Sequence, residues 1–197
     1  MDLYQFEMSP NAKRVRVVAA ELGIPLQVKS LDFRSAENKQ PDYLAKNPNG
    51  KVPTLVDGDF TLWESPAICF YLARKAGKLL GSDPQSEADA VRWMTWNASH
   101  FEPHLFTVVF ERMFKPMRGG QPDQAKIDHA MKDVERYARI LDQQLTGRDW
   151  VTGALSIADI AIATSVELAQ MAQVDFAPYQ AITAWLGRVR ERPSWKA

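Results

Sequence analysis

Two short motifs in the first third of the chain have the residue types needed to hold a small ligand. Val52-Pro53 stands just before a β-rich run, and a proline cannot donate to a strand ladder. The Val52 backbone N–H and C=O are thereby left to pair with an extended peptide, as an added strand would. X-Pro is also the common setting for a cis bond. Glu64-Ser65-Pro66 ends a strand and opens a helix, with Ser65 as N-cap and Pro66 at the first helical position. Backbone N–H groups at a helix start, with a hydroxyl beside them, suit a carboxylate. Together the motifs fit a small peptide-like ligand that carries carboxylates.

A hairpin and its neighbours must position these residues. Thr54-Leu55-Val56 and Phe60-Thr61-Leu62-Trp63 flank Asp57-Gly58-Asp59, and an Asp-Gly pair between β-rich runs is a strong hairpin signal. The helix after Glu64 carries Ile68, Tyr71, Leu72 and Ala76 on one side at helical spacing. Upstream, Leu3 to Phe6 reads as a strand and Ser9-Pro10-Asn11 as a helix start. Ala12, Val15, Val18, Ala19 and Leu22 form that helix's apolar face, and Gly23 stops it. Leu26 to Leu31 is a second strand, residues 32–40 are polar and irregular, and Pro41 to Ala45 makes a short helix before the turn Asn47-Pro48-Asn49-Gly50. The order βαβ-α-ββα is that of an α/β thioredoxin-like domain, expected over residues 1–79, with its first strands parallel.

Residues 80–85 read as a linker, and after them the β signal disappears. Residues 86–197 read as an all-α helical C-terminal domain. Its first long helical stretch, Ser86 to Phe114, is expected to bend near Pro103. It is dense in large side chains, among them Trp93, Trp96, Phe106, Phe110, Met113 and Phe114. Ile127, Val134, Ala138, Leu141 and Leu145 line an amphipathic helix, Ile157 to Met171 is apolar nearly all round, and Ile182, Trp185 and Val189 mark a last helix stopped at Pro193. Ser156-Ile157-Ala158-Asp159 has the spacing of a capping box, whose loss is expected to cost on the order of 1 kcal/mol.

Composition excludes several classes of function. Lys+Arg and Asp+Glu both total 24, so nothing points to nucleic acid or another polyanion. Cys69 is the only cysteine, which rules out an intrachain disulfide, a CxxC motif and a cysteine zinc site. His100 and His104 have i, i+4 spacing but lack the glutamate and third ligand of a zinc motif, and His129 adds no pattern, so no metal is expected. The opening residues lack the apolar run of a signal peptide and no run is long enough to span a membrane, so the cytoplasm is expected.

Val52-Pro53 followed by Glu64-Ser65 at a helix start resembles the glutathione site of the cytosolic glutathione S-transferases, in a bacterial member of theta, phi or beta type. The capped helix at Ser156–Asp159, with Gly147 to Gly153 before it, resembles the core helix of that family's C-terminal domain. The resemblance implies a homodimeric, cytoplasmic transferase of detoxification that activates glutathione, its co-substrate, for attack on a small hydrophobic soft electrophile. Glutathione brings its own nucleophile, so the protein's task is to hold the sulfur as thiolate. Ser9 matches the serine that theta and phi members use at the first turn, and it also reads as a plain N-cap. Asn11, with an amide N–H to offer, is the second candidate for the sulfur.

The same resemblance carries the remaining binding residues. Lys39 would pair with the glycyl carboxylate. Lys51 stands where the family often has Gln, keeping a donor and adding a charge. Val52 and Pro53 would pair with the peptide backbone, and Glu64 and Ser65 would hold the γ-glutamyl amine and carboxylate. An electrophile pocket is expected between the domains, from Met8, Phe106, Phe110 and Met113. Tyr4 lies within its strand and reads as core, as does Cys69. The alternatives are a glutathione-dependent disulfide or peroxide reductase, and a fold relative that has lost catalysis and serves as a binding subunit.

Overall fold

The Ser9-Pro10 start and the Gly23 stop bound the first helix. In a computed structural model, which describes residues 1–197, β1 (Asp2–Gln5) leads into α1 (Pro10–Leu22). Ser9 caps α1, and Gly23 closes it in the left-handed region at φ 69°. β2 (Gln27–Ser30) then runs parallel to β1, with Leu3 opposite Val28. A 3-10 turn (Glu37–Lys39) and a short α2 (Pro41–Leu44) follow. β3 (Thr54–Asp57) and β4 (Phe60–Trp63) form the expected hairpin, Asp57 facing Phe60 across Gly58 and Asp59. Gly58 at φ 61° supplies the left-handed backbone that such a turn needs. The sheet order is β2-β1-β3-β4, with β3 antiparallel to both neighbours.

α3 (Ser65–Ala76) packs against α1 on the sheet. Leu3, Leu55, Val15, Val18, Ile68 and Leu72 are all fully buried there, each contributing roughly 2 kcal/mol by leaving water. Tyr71 is at the edge of this core rather than in it, and its hydroxyl donates to Asp57 Oδ2 at 2.6 Å. Cys69 is fully buried, and burial pushes its thiol up to about 12, against a smaller opposing effect of the Arg14 charge.

The chain divides into two compact units, Met1–Leu80 with Pro193–Ala197, and Gly81–Arg192. The tail joins the first unit because Trp195 beds against α1, where Lys13 Nζ sits 4.4 Å from its ring centroid. In the second unit α4 (Pro84–Trp96) starts earlier than Ser86, capped by Asp83. Ahead of Pro103, where a bend is expected, the helix widens into a π turn over Asn97–Phe101. Pro103 lacks an N–H and crowds the carbonyl of Ser99, and the wider turn relieves both. α5 (Glu102–Val109) ends in a second π turn (Phe110–Phe114), followed by α6 (Gln124–Leu145), α7 (Ile157–Met171) and α8 (Gln180–Arg190).

The capping box at the head of α7 does more than cap. Asp159 is fully buried. Its Oδ2 accepts from Ser156 N and Oγ at 2.9 and 3.0 Å, and its Oδ1 from Val151 N and Trp185 Nε1 at 2.8 and 2.9 Å. Burial raises the carboxyl above its ordinary value, and these donors oppose the shift. One side chain thus joins the loop before α7, the head of α7 and α8.

Candidate functional site

Ser9 sits at the head of α1 with φ −80° and ψ 117°, the extended backbone of an N-cap. Its Oγ accepts from the Ala12 N–H at 3.3 Å. That bond uses a lone pair only, so the hydroxyl hydrogen stays free to donate. Capping and donation to a bound anion are therefore compatible at Ser9, where the sequence offered them as alternatives.

Asn11 and Ser65 join the heads of α1 and α3. The Ser65 hydroxyl donates to Asn11 Oδ1 at 3.0 Å and accepts from Arg14 Nη1 at 3.4 Å. This corrects the expectation that Ser65 caps α3. The cap position falls on Glu64, with no side-chain cap bond, and Ser65 is the first helical residue, almost fully buried. Its hydroxyl turns inward because Asn11 and Arg14 offer it an acceptor and a donor. Its backbone N–H, at the open end of α3, has no intrahelical acceptor. Two helix N-termini meeting in this way concentrate positive potential, which favours an anion.

The Val52–Pro53 bond is cis, as the sequence suggested. Strand pairing begins at Thr54, so the Val52 N–H and C=O lie outside the ladder. The preceding loop is tied down by side chains. The Lys51 carbonyl accepts from Tyr43 Oη at 2.5 Å and from Asn47 Nδ2 at 2.9 Å. Asn38 is buried, and its Nδ2 donates to the Gly50 carbonyl at 2.7 Å. Gly50 itself is at φ 58°, and a Cβ there would come within 2.7 Å of Lys39 Nζ and 2.8 Å of the Asn38 carbonyl. Only glycine fits.

Lys39, Lys51 and Glu64 are exposed side chains around this loop and the hairpin's end. Glu64 has φ 71° and ψ 110°, a conformation that costs a non-glycine residue about 1–3 kcal/mol and that clusters at ligand clamps. Arg14, Tyr43, Asn38 and Asn47 were missed by sequence reasoning. The one available signal was an arginine between the apolar Ala12 and Val15 of α1.

The expected pocket residues fall in both units. Met8, in the turn between β1 and α1, is 50% exposed. In the second unit Phe106 is 47% exposed and leads an aromatic row, its centroid 6.5 Å from Phe110 and 6.1 Å from Phe114. Met113 is half-buried beside them in sequence, and Phe114 was not among the expected set. Tyr4 is half-buried, its ring 5.8 Å from Tyr43. His100 and His104 both stack on Tyr137, at 5.8 and 5.7 Å.

Comparison with known proteins bears on the whole chain. Residues 1–74 match the glutathione S-transferase N-terminal domain, and residues 101–193 the C-terminal domain. Glutathione S-transferase 1 of Zea mays is 34% identical over 200 residues, an alignment that covers 98% of this chain and 93% of the relative. The structure of glutathione S-transferase-I bound with lactoylglutathione is similar at a TM-score of 0.92 and 30% identity, covering 99% of this chain and 96% of that one. Glutathione S-transferase I from mais, in complex with an atrazine glutathione conjugate, is similar at 0.90 and 31% identity, covering 99% and 94%.

Proposed function

Because the chain belongs to the glutathione S-transferase family, we propose that it is a glutathione transferase that holds the glutathione sulfur as thiolate at the head of α1. The observation that carries this reading is the free hydroxyl hydrogen of Ser9 at the open end of α1, next to the joined heads of α1 and α3. Ser9 donates that hydrogen to the sulfur, and the unpaired N–H groups of the first turn add positive potential. Both favour thiolate over thiol, so the thiol proton passes to solvent near neutral pH, where free thiol is mostly protonated.

The sulfur lone pair forms the new bond to a soft electrophilic carbon. In substitution, the broken bond's electron pair departs with the leaving group. In addition to an activated double bond, the pair moves onto the electrophile, which takes a proton from water. Asn11 is a second donor to the sulfur.

The rest of the site binds the tripeptide. Val52, turned out of the ladder at Pro53, pairs with its backbone. Glu64 meets the γ-glutamyl ammonium, and Ser65 meets the carboxylate through its backbone N–H, its hydroxyl being engaged with Asn11. Lys39 and Lys51 supply charge and donors for the glycyl carboxylate. In the second unit Phe106, Phe110 and Met113 offer an apolar surface to a small hydrophobic electrophile, and the aromatic row from Phe106 to Phe114 favours a planar one.

A homodimer in the cytoplasm, acting in detoxification, completes the reading. β4 is a sheet edge that presents Phe60 and Trp63 at 48% and 37% exposure, a surface that calls for a cover. No helix is long and apolar enough to cross a membrane.

The test is retention on immobilised glutathione with elution by free glutathione, followed by assay against electrophiles and hydroperoxides. Retention with conjugate formation is expected. Failure to bind would leave only the fold. Glutathione disulfide formed from a hydroperoxide, with no conjugate from any electrophile, would replace the transferase with the reductive alternative.

A further inference from the structure

Arg14 is 1% exposed, and its Nη1 donates to Ser65 Oγ at 3.4 Å, across from α1 to α3. Ser65 Oγ in turn donates to Asn11 Oδ1 at 3.0 Å. The direction of this chain of bonds is biased from its buried end. A guanidinium has donors only, so the Ser65 oxygen accepts from it. A hydroxyl owns one hydrogen and two lone pairs; with the Arg14 cation on one lone pair the hydrogen turns away from that charge, and here it is directed at Asn11 Oδ1. Asn11 must then turn its carbonyl to Ser65, and its NH2 faces away. Without the cation behind Ser65, nothing keeps the hydroxyl hydrogen on the Asn11 side, and the amide could sit either way round.

We propose that Arg14 is a positioning residue: through Ser65 it fixes the orientation of the Asn11 amide, so that Nδ2 and not Oδ1 is presented to the sulfur beside Ser9. The assignment rests on the glutathione reading above. An amide oxygen facing a thiolate repels it, whereas an amide N–H stabilises it. The orientation of one side chain therefore changes the acidity of the bound thiol without any change in what touches the glutathione backbone.

The experiment is a pH titration of thiolate absorbance in the glutathione complex, with glutathione affinity measured by calorimetry on the same proteins. The proteins are wild type, Arg14→Met, Arg14→Lys, Asn11→Ala and the double variant Arg14→Met/Asn11→Ala. Arg14→Met, which keeps volume but removes the donors, is expected to raise the apparent pKa of bound glutathione by about one unit. Arg14→Lys, again a donor-only group, should titrate close to wild type. Asn11→Ala should shift as Arg14→Met does, and the double variant no further, because both act through one amide. Should Arg14→Met not fold, Arg14→Gln takes its place in both the single and the double variant. Wild-type titration in Arg14→Met, an equal shift in Arg14→Lys, or additive shifts in the double variant would each overturn the proposal. A wild-type complex that titrates like free glutathione would instead overturn the glutathione reading on which it rests.

Discussion

Tyr43 donates its phenolic hydrogen to the Lys51 carbonyl at 2.5 Å, which fixes the residue immediately before Val52. That hydrogen being spent, the 2.9 Å contact between Tyr43 Oη and Thr54 Oγ1 must have Thr54 donating. Thr54 in turn accepts from Asn47 Nδ2 at 3.1 Å. The loop that presents Val52 is thus held by a closed set of bonds among buried or half-buried groups. Tyr43→Phe is expected to cost about 1–2 kcal/mol of stability, since it leaves the Thr54 hydroxyl without its acceptor. It should raise KM for glutathione several-fold with kcat little changed, because the sulfur end is untouched. Steady-state kinetics with glutathione varied, alongside thermal unfolding, checks both halves.

The binding role proposed for Glu64 can be separated from folding. Its side chain is exposed and its backbone is in the positive-φ region, so a glutamate here costs the fold rather than supporting it. Glu64→Ala should weaken glutathione binding about tenfold, the worth of one charged hydrogen bond, with no loss of Tm. Glu64→Gly should lose the same affinity while unfolding no earlier than Glu64→Ala, since glycine tolerates φ near 71°. Equal affinity in wild type and both variants would remove Glu64 from the site.

Asp159 is the reverse case. Sequence spacing suggested a cap worth on the order of 1 kcal/mol. The structure adds the Val151 N–H and the Trp185 indole to its acceptor load. Asp159→Ala leaves those buried donors unpaired and is expected to cost about 3 kcal/mol or more. Trp185→Phe, which removes one donor and keeps a ring, should cost less. Chemical denaturation of the two variants measures the difference.

Glu111 makes the fold sensitive to acid. It is buried, and Lys115 at 2.7 Å and the Asp123 N–H at 2.8 Å hold its carboxyl below the ordinary 4.5. The unfolded chain takes up this proton first as pH falls. The contribution of Glu111 is therefore complete above the ordinary value and is lost as pH falls through the lower, folded one. Tm of wild type should exceed that of Glu111→Gln at pH 7, and the gap should close as pH falls below the ordinary carboxylate range and through the lower, folded value. A gap that is constant across this range would contradict the assignment.

The parts of the fold that were legible in sequence are those whose cause is local. Asp57-Gly58 makes its own turn, Val52-Pro53 breaks its own ladder, and Ser9, Pro10 and Gly23 set the ends of α1. What could not be read depends on partners distant in sequence. Nothing near Arg14 announces that it will be buried against Ser65, and nothing near Trp195 announces α1 as its bed. Ser65 shows the limit most clearly. Its neighbours make it a cap, and only the arrival of Asn11 and Arg14 from another helix turns its hydroxyl inward. The π turn at Asn97–Phe101 is a similar case, since Pro103 signals an interruption but not the side on which the chain widens.

The most direct test of thiolate holding at α1 is the ultraviolet absorbance of glutathione bound to wild type and to Ser9→Ala, followed against pH. The wild-type complex should show thiolate at neutral pH, with an apparent pKa well below the ~8.5 of a free thiol. Ser9→Ala should raise that value and lower turnover at pH 7, with affinity for glutathione little changed, because the proposed grip on the tripeptide is at Val52, Glu64 and Ser65. Loss of the cap adds about 1 kcal/mol of destabilisation, read separately from thermal unfolding. A wild-type complex that titrates near ~8.5, or a Ser9→Ala complex that titrates like wild type, would contradict the placement of the sulfur at Ser9.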